Sequence, residues 1–422
     1  MKVLILGGGG REHALAWKIA RSPIVTTLYC APGNAGIAQV AKCVDGLDIE
    51  SGGAVVAFCQ RIEIGFVVIG PEAPLAAGVA DALRANGIGV FGPSKAAAQL
   101  EASKAFTKEI CDACGAPTAA WGRFSGEDAA LAYVREKGAP IVIKADGLAA
   151  GKGVVVAQTL AEAEAAIKDM FAGGFGDAGA EIVIEEFMEG EEASFFVLTD
   201  GRTVLPLPTA QDHKRVGEGD TGPNTGGMGA YSPAPVMTSD MQRRALEEIV
   251  HPILSEMAKR GMRYQGVLYA GLMIGADGPR LVEINARFGD PECQVLMLRL
   301  TSDLLPALMA CDGNNLPDIQ LDWSRDPALT VVMAAKGYPG SYEKGAVIDG
   351  LDAAGDVDGV TVFHAGTRVG DKGIEAAGGR VLNITAIGSD VAQARDRAYS
   401  AIDCIDWPGG FVRRDIAWRV LD

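Results

Sequence analysis

Three polar side chains alternate along one apolar run of the sequence, and together they could hold a metal ion and an anion. In LVEINARFGDPECQ, Glu283, Asn285 and Arg287 are spaced two residues apart and so share one face of a strand. A carboxylate and an amide oxygen are hard ligands suited to Mg²⁺ that bridges nucleotide phosphates. Arg287 can grip a carboxylate or phosphate through two parallel hydrogen bonds. Burying these groups between the apolar runs LMIG and VLMLRL would be costly without such ligands, so a functional role is favoured.

A glycine-rich segment, IKADGLAAGKGV, could cover phosphates. Lys144 ends a predicted strand, and Gly151 and Gly153 flank Lys152. Successive glycine amides can turn toward one anion, and a lysine adds a mobile charge. The run lacks the G-x-x-x-x-G-K-[ST] pattern and is followed by strands, so it is not a Walker loop. It favours a hairpin over a triphosphate, with an ordinary glycine hairpin as an equal alternative.

The segment VIEEFMEGEEASF could bind an adenine nucleoside. The end of its predicted strand offers main-chain donors and acceptors beside Phe187 and Met188, and Glu191 or Glu192 could accept from ribose hydroxyls. In isolation, a solvated acidic turn after a strand is the favoured explanation of the segment.

A long polar segment, QDHKRVGEGDTGPNTGGMGAYSP, carries the remaining candidates. His213 suggests a general base, but a histidine in a basic loop is more often structural, so Asp212, Lys214 and Arg287 are the stronger candidates. No Ser-His-Asp or Cys-His set is evident in the sequence, so no covalent enzyme intermediate is required.

Four glycines after the first apolar run, in VLILGGGGREH, raise the question of a dinucleotide site. Counted from Gly7, the third glycine of G-x-G-x-x-G is replaced by Glu12, and counted from Gly8 it is replaced by His13. The next strand, TTLYCAPGN, ends without a ribose-binding acid. We therefore exclude a nicotinamide dehydrogenase and expect amides at a strand end that meet one phosphate-sized anion.

Three regions must position these groups. Residues 1–102 alternate strands and helices, which predicts an open, mostly parallel α/β sheet whose carboxyl-end loops converge. Residues 103–325 begin with a helix capped by Ser103, continue with a small α+β unit at about 120–190 and end in a larger antiparallel sheet. Residues 326–422 predict a mostly antiparallel α+β module. The fold class is thus α/β and α+β, in several domains.

The composition of the chain argues against several classes of partner and site. The 422 residues include 38 basic and 54 acidic side chains, a formal net charge of −16, which argues against nucleic-acid and anionic-membrane partners. No apolar run approaches the roughly 18 residues that a membrane span needs, so we expect a cytoplasmic protein. Cys111 and Cys114 in CDAC have redox or metal spacing but lack a partner pair, and two cysteines on an amphipathic helix are favoured.

Four elements, in their order along the chain, resemble the ATP-grasp fold, in which two α+β lobes clamp ATP. They are the helix that begins at Lys104, the glycine-rich segment, the strand before Phe187 and the strand with the Glu-x-Asn pattern. Further segments, over essentially the whole chain, resemble the phosphoribosylamine–glycine ligase (glycinamide ribonucleotide synthetase) family of purine biosynthesis. They are GGGGREHAL, PGNAG, GPEAPL, DHKRVGEGDTGPNTGGMGAYSP, NARFGDPECQ, FHAGT, GGRVLNITAIG and RRDIAWRV.

The resemblance implies that ATP, with Mg²⁺ or Mn²⁺, drives the ligation of glycine to 5-phosphoribosylamine. The glycine carboxylate would take the γ-phosphoryl group, and the phosphoribosylamine nitrogen would then displace phosphate. Such phosphoryl transfer requires positioning and charge stabilisation more than an enzyme nucleophile. A monomer or weak dimer is expected.

The resemblance also implies residue roles. ATP phosphates or the purine edge would meet Lys104, Lys144, Gly151, Lys152 and Gly153. The adenine site would include Glu185, Phe187 and Met188, with Glu191 or Glu192 at the ribose. Glu283 and Asn285 would hold the metal ion. Asp212, Lys214, Arg287, Asp290 and Glu292 would face glycine and the acyl phosphate. Phosphoribosylamine would be approached by Gly8, Gly9, Gly10, Gly33, Asn34, Ala35, Pro71 and Glu72.

One departure and three alternatives accompany this interpretation. Many ATP-grasp enzymes carry an acidic metal ligand on the strand before Glu283, where this chain has LYAGLM. A second metal ion would then depend on substrate oxygens or on bridging by Glu283. The alternatives are another ATP-grasp ligase of purine metabolism, of the carboxylase or formyltransferase type, a non-catalytic nucleotide-binding protein, and the dehydrogenase excluded above.

Overall fold

The computed structural model describes residues 1–147, 153–174, 181–313 and 315–421. Gly151 and Lys152, which we expect at the ATP phosphates, lie outside these described residues.

An open sheet of five parallel strands forms the N-terminal region, in the order β3-β2-β1-β4-β5. Its strands are β1 (Lys2–Gly7), β2 (Thr27–Pro32), β3 (Lys42–Cys43), β4 (Phe66–Ile69) and β5 (Gly89–Phe91). Its helices are α1 (Gly10–Ile19), α2 (Gly52–Ile62), α3 (Glu72–Ala77) and α4 (Val79–Ala85). Val3, Leu4, Ile5 and Leu6 of the central strand are all fully buried, so both faces of the sheet are covered. The predicted parallel α/β sheet is confirmed.

A small α+β unit follows two linking helices. This part contains α5 (Gln99–Ala102), α6 (Lys104–Cys114), β6 (Trp121–Phe124), α7 (Glu127–Lys137), β7 (Ile141–Ala145), β8 (Val154–Ala157), α8 (Leu160–Asp169) and β9 (Ile182–Glu186). The Ser103 hydroxyl accepts from the Phe106 amide at 3.1 Å and so caps α6, as predicted. The strands form an antiparallel sheet in the order β6-β9-β7-β8, and α7 and α8 pack with it around a core of their own.

A second antiparallel sheet, in the order β11-β10-β16-β17, faces this unit. The strands of this part are β10 (Glu191–Thr199), β11 (Val204–Pro206), β12 (Gln211–Asp212), β13 (Arg215–Gly217), β14 (Thr221–Asn224), β15 (Gly229–Ser232), β16 (Gly266–Gly275) and β17 (Gly278–Asn285). The helices are α9 (Ser239–Arg244), α10 (His251–Lys259), α11 (Glu292–Arg299) and α12 (Leu305–Gly313).

The polar segment between β11 and β16 differs from the expected loop, because it contains the four short strands β12 to β15. Strand β13 pairs with β14, and β12 pairs with β15. These strands are short and rich in glycine, so they lack the apolar alternation by which a strand is recognised in a sequence.

The C-terminal region is mostly antiparallel, as predicted. It contains β18 (Ala328–Ala335), α13 (Leu351–Gly355), β19 (Val360–His364), β20 (Thr367–Gly370), β21 (Gly373–Ala376), β22 (Arg380–Ile387), α14 (Val391–Ile402), β23 (Gly410–Phe411) and α15 (Trp418–Leu421). Its main sheet runs β12-β15-β18-β22-β19, with β23 paired to β18. Two strands of the central segment therefore extend the C-terminal sheet.

Apolar side chains of the N-terminal sheet and the central sheet share two cores, so these two regions are packed as one body. The C-terminal sheet and α14 enclose a third core. None of the helices in the described part of the chain has the length and apolar character of a membrane span.

Candidate active site

A cavity of about 780 Å³ lies where the regions of the chain meet. The predicted residues that line it are Pro71, Glu72, Lys104, Lys144, Gly153, Glu185, Phe187, Met188, Glu191, Glu192, Asp212, Lys214, Glu283, Asn285, Arg287, Asp290 and Glu292. Groups separated by more than two hundred residues in the sequence thus face one space.

Strand β9 holds Glu185 between two lysines at one end of the cavity. Its carboxylate lies 2.9 Å from Lys144 Nζ and 3.0 Å from Lys108 Nζ, and all three side chains are buried. Two ammonium groups against one carboxylate leave this corner with an excess positive charge, which favours an anionic ligand. Lys144 Nζ also donates to the carbonyl of Val282 at 3.1 Å, which ties β7 to β17.

The end of β9 provides an apolar surface beside free main-chain groups. Phe187 is 36% exposed and Met188 is 7% exposed, and both line the cavity. A planar, partly polar ring would find both apolar contact and hydrogen-bond partners here. Lys104, in the first turn of α6, donates from Nζ to the carbonyl of Gly147 at 2.9 Å, and Gly147 belongs to the start of the glycine-rich hairpin.

Lys214 is the central cation of the opposite wall. Its ammonium forms a close ion pair with Glu192 and lies 3.6 Å from Glu283 Oε1. Burial disfavours the charged form, but the carboxylates of Glu192 and Glu283 outweigh it and hold the pKa of Lys214 well above its usual value. Lys214 therefore stays charged, and its charge helps to keep Glu283 ionised.

Glu283 and Asn285 fit a hard divalent cation. Burial opposes ionisation of Glu283, yet Lys214 and Lys144 outweigh that effect and lower its pKa to about 2. The carboxylate is thus charged at neutral pH, as a Mg²⁺ ligand must be. On β16 the residue opposite Glu283 is Gly271, so the neighbouring strand supplies no carboxylate at that position, in agreement with the sequence.

Asp212 lies on the same wall of the cavity, but its pKa is shifted in the opposite direction to that of Glu283. Desolvation raises the pKa of Asp212 to about 8, against the opposing charge of Lys214. A carboxyl group with a pKa near neutrality can either hold or accept a proton during a reaction.

Arg287 is held by two carboxylates from other regions. Its Nη2 lies 3.0 Å from Glu101 and its Nε lies 3.4 Å from Glu72. Glu101 also accepts from the amide of Ala286 at 2.7 Å. The guanidinium is therefore fixed in the cavity wall directly after the predicted metal strand.

Asp290 and Glu292 are fixed just as firmly. Asp290 accepts from Gln294 Nε2 at 2.9 Å and lies 3.4 Å from Arg380 Nη2. Burial opposes ionisation of Asp290, but Arg380 outweighs it and lowers the pKa. Glu292 accepts from the Tyr269 hydroxyl at 2.6 Å, so its carboxylate is oriented toward the cavity.

The N-terminal glycine loop and the PGNAG loop lie against each other beside the cavity. A Cβ added to Gly8 would stand 2.5 Å from the carbonyl oxygen of Gly33. The amide of Asn34 donates to the carbonyls of Gly8 at 2.9 Å and His364 at 2.8 Å. Close packing therefore accounts for glycine at position 8, and a φ of 79° accounts for glycine at position 33. Asn34 joins this loop to the C-terminal region.

Gly8, Gly9, Gly10, Gly33, Asn34 and Ala35 are not among the residues that line the cavity, but Arg11, directly after Gly10, is. Glu12 accepts from the amide of Gly9 at 2.7 Å and from Arg11 Nε at 2.6 Å. Arg11 lines the cavity and donates from Nη1 to the carbonyl of Phe288 at 3.2 Å. Glu12 stands where the dinucleotide pattern needs a glycine, and its carboxylate holds the loop closed.

Sequence reasoning missed several residues of the site. Lys108 follows Lys104 by one helical turn on α6, a spacing that could have indicated a shared face. Glu101, Tyr269 and Arg380 carry no comparable signal, because each reaches the cavity only through the packing of distant elements.

Comparisons with known proteins agree with this geometry. The chain matches family models described as phosphoribosylglycinamide synthetase N domain over residues 1–101, ATP-grasp (A) domain over 102–293 and C domain over 328–419. It is 59% identical over 422 residues to the phosphoribosylamine–glycine ligase of Brucella melitensis, covering 100% of this chain and 99% of that protein. It is 61% identical over 421 residues to the enzyme of that name from Agrobacterium fabrum, with the same coverage.

A solved structure extends the likeness to three dimensions. The phosphoribosylamine–glycine ligase of Thermotoga maritima superposes with a TM-score of 0.85 at 32% identity, over 99% of this chain and 100% of that one. The chain therefore belongs to the phosphoribosylglycinamide synthetase (phosphoribosylamine–glycine ligase) family and is an ATP-dependent ligase of purine biosynthesis.

Proposed function

We propose that the cavity joins glycine to 5-phosphoribosylamine and forms glycinamide ribonucleotide, ADP and phosphate by way of glycyl phosphate. The main support for the proposal is that Glu283 and Asn285 line the same cavity as three other polar residues, Lys214, Arg287 and Glu292. A metal-ligand pair next to fixed cations and acids suits a carboxylate that accepts a phosphoryl group.

ATP would occupy the end of the cavity between the two sheets. Its adenine would lie against Phe187 and Met188, near Glu185, and its ribose near Glu191 or Glu192. The triphosphate would run past Lys104, Lys144 and Gly153 toward β17, and we propose that Gly151 and Lys152 also bind the phosphates. The ammonium groups of Lys104 and Lys144, which line the cavity, support this direction.

Glu283 and Asn285 would hold Mg²⁺ or Mn²⁺ against the phosphates. When bound, the cation neutralises phosphate charge and lowers the barrier to transfer. The ionised state of Glu283 and the donor set of the strand support this assignment.

Glycine would bind with its carboxylate toward Lys214 and Arg287 and its ammonium toward Asp290 and Glu292. A carboxylate oxygen attacks the γ-phosphorus, and the bond from that phosphorus to the β–γ bridging oxygen breaks, which releases ADP. Lys214 and Arg287, both held by carboxylates, would stabilise the charge on the transferring group without moving.

Phosphoribosylamine would approach from the side of Pro71, Glu72 and Arg11. We propose that two loops next to this side of the cavity also bind phosphoribosylamine. Their residues are Gly8, Gly9, Gly10, Gly33, Asn34 and Ala35. The amine nitrogen attacks the acyl carbon and phosphate leaves. Asp212, with its pKa near neutrality, would accept the proton that the nitrogen loses.

We also propose the division into residues 1–102, 103–325 and 326–422, with a lid lobe at about 120–190 that covers ATP. The net charge of −16 supports small-molecule substrates rather than a nucleic acid. We further propose that the protein is cytoplasmic and that it is a monomer or a weak dimer.

Oxygen labelling tests the reaction. With both carboxylate oxygens of glycine labelled with ¹⁸O, the proposed path puts one label in the released phosphate and leaves one in the product amide. Phosphate without label would contradict the acyl phosphate. Turnover that depends on bicarbonate or formate and not on glycine would favour another ATP-grasp ligase.

A further inference from the structure

The segment near the end of the described chain packs against β13 and the turn between β13 and β14. We call residues 413–419 the clasp. Arg413 is 1% exposed, and its Nη1 donates to the carbonyl of Arg215 and to Asp220 Oδ1, both at 2.9 Å. The same guanidinium is held by Asp415 at 2.7 and 2.8 Å. One buried arginine thus joins β13 to the turn before β14.

The clasp also holds the residue between Asp212 and Lys214. His213 is fully buried, and its Nε2 accepts from the amide of Ala417 at 2.9 Å. Since Nε2 is an acceptor, the neutral ring carries its proton on Nδ1, 3.7 Å from Asp220 Oδ1. His213 therefore faces away from the cavity and is unsuited to act as its general base.

Three further contacts join the clasp to the turn. Asp415 accepts from the amide of Gly219 at 2.8 Å, and the amide of Arg414 donates to Glu218 at 2.9 Å. Arg419 pairs with Asp220, and both line the cavity.

The backbone is strained where the two segments meet. Asp220 has a φ of 55° and Ala417 a φ of 69°, in the left-handed region that side chains with a Cβ disfavour. Each strained residue makes a clasp contact, Asp220 with Arg413 and Ala417 with His213. Such conformations persist where surrounding contacts enforce them, and they concentrate at functional sites.

We propose that Arg413, Asp415 and His213 are positioning residues. Through them the clasp fixes the positions of Asp212 and Lys214, which face glycine and the acyl phosphate in the proposed reaction. The inference rests on the proposed function. It assigns a part in catalysis to three residues that are not among those that line the cavity.

The test compares Arg413→Ala with Arg414→Ala. The two arginines are adjacent, but the Arg414 side chain pairs with Asp403 at the surface. For Arg413→Ala we expect kcat/KM for glycine to fall about tenfold or more, as small displacements of reacting groups can cause. The dissociation constant of a non-hydrolysable ATP analogue should stay within about threefold of the parent. Hydrogen exchange should accelerate in residues 213–224, and Arg413→Lys should recover part of the loss.

Asp415→Ala provides a second variant if Arg413→Ala does not fold. A folded variant with parental glycine kinetics, or an equal loss of ATP-analogue binding, would overturn the proposal. If the parent itself lacks glycine-dependent ADP release, it is the proposed function that fails instead.

Discussion

At the scale of single residues, the site depends on a balance of charge around Glu283. Its carboxylate is kept ionised by Lys214 and Lys144, so the proposed cation binds without first displacing a proton. Arg287, two residues beyond Asn285, is fixed by Glu72 and Glu101. The chemistry of the wall is therefore set before any substrate arrives.

Replacing Glu283 tests the metal assignment. Glu283→Gln keeps the size of the side chain but removes the charge of a proposed direct ligand. We therefore expect Mn²⁺ binding in the presence of ATP to weaken by at least the roughly 10–100-fold that loss of an outer-shell partner costs. Glycine-dependent ADP release should be lost. Titration of Mn²⁺ followed by electron paramagnetic resonance measures the first effect. Glu248→Gln, on a surface pair with Arg244, is the matched control, and parental Mn²⁺ affinity in Glu283→Gln would refute the assignment.

Cys111 and Cys114 lie on α6, as the sequence predicts, and both are free thiols. Burial raises the pKa of Cys111 to about 12, so the Cys111 thiol is not ionised at neutral pH. Cys111→Ser should keep nearly full activity, with a lower midpoint of thermal unfolding because a hydroxyl replaces a buried thiol. Loss of activity in a folded variant would show that the pair has a chemical role.

At the scale of elements, α1 and β19 join the N-terminal and C-terminal regions through two buried histidines. The amide of His364 donates to His13 Nδ1 at 2.7 Å. Desolvation lowers the pKa of His13 to about 3 and that of His364 to about 4. Both rings are therefore neutral in the folded protein over the physiological range.

This junction predicts a loss of stability in mild acid. An unfolded histidine has a pKa of about 6.5, so the unfolded chain gains protons below that pH while the folded chain does not. Each histidine then costs up to about 1.4 kcal/mol of unfolding free energy per pH unit as the pH falls from about 6.5 toward its folded pKa. Urea unfolding at a series of pH values measures the slope.

His13→Asn should reduce that slope, because asparagine can accept the same bond without titrating. His251, exposed on α10, provides the control variant His251→Asn. Equal slopes in the parent and His13→Asn would contradict the role of the junction.

Elements with strong periodic patterns were predictable, and elements defined by distant pairing were not. Apolar runs such as VLIL and the capping residue Ser103 carry their structure locally, and β1 and α6 form as expected. Strand β15 pairs with β18, about a hundred residues away, and β12 in turn pairs with β15. The same distinction holds for the site, where the pattern Glu-x-Asn-x-Arg was visible but Glu101 and Tyr269 were not.

At the scale of the whole molecule, the cavity is a product of how the regions meet. The central sheet shares its cores with the N-terminal sheet, while β12 and β15 belong to the C-terminal sheet. Asp212 therefore lies at the end of a C-terminal sheet strand, whereas Glu283 lies on the central sheet. Their shared cavity requires both sheets to be assembled.

The most direct test of the central claim is ADP release by the parent protein with ATP, Mg²⁺, glycine and freshly prepared phosphoribosylamine, each omitted in turn. Full turnover should require both substrates, and omission of glycine should abolish it. ADP release unaffected by the omission of glycine would contradict the account.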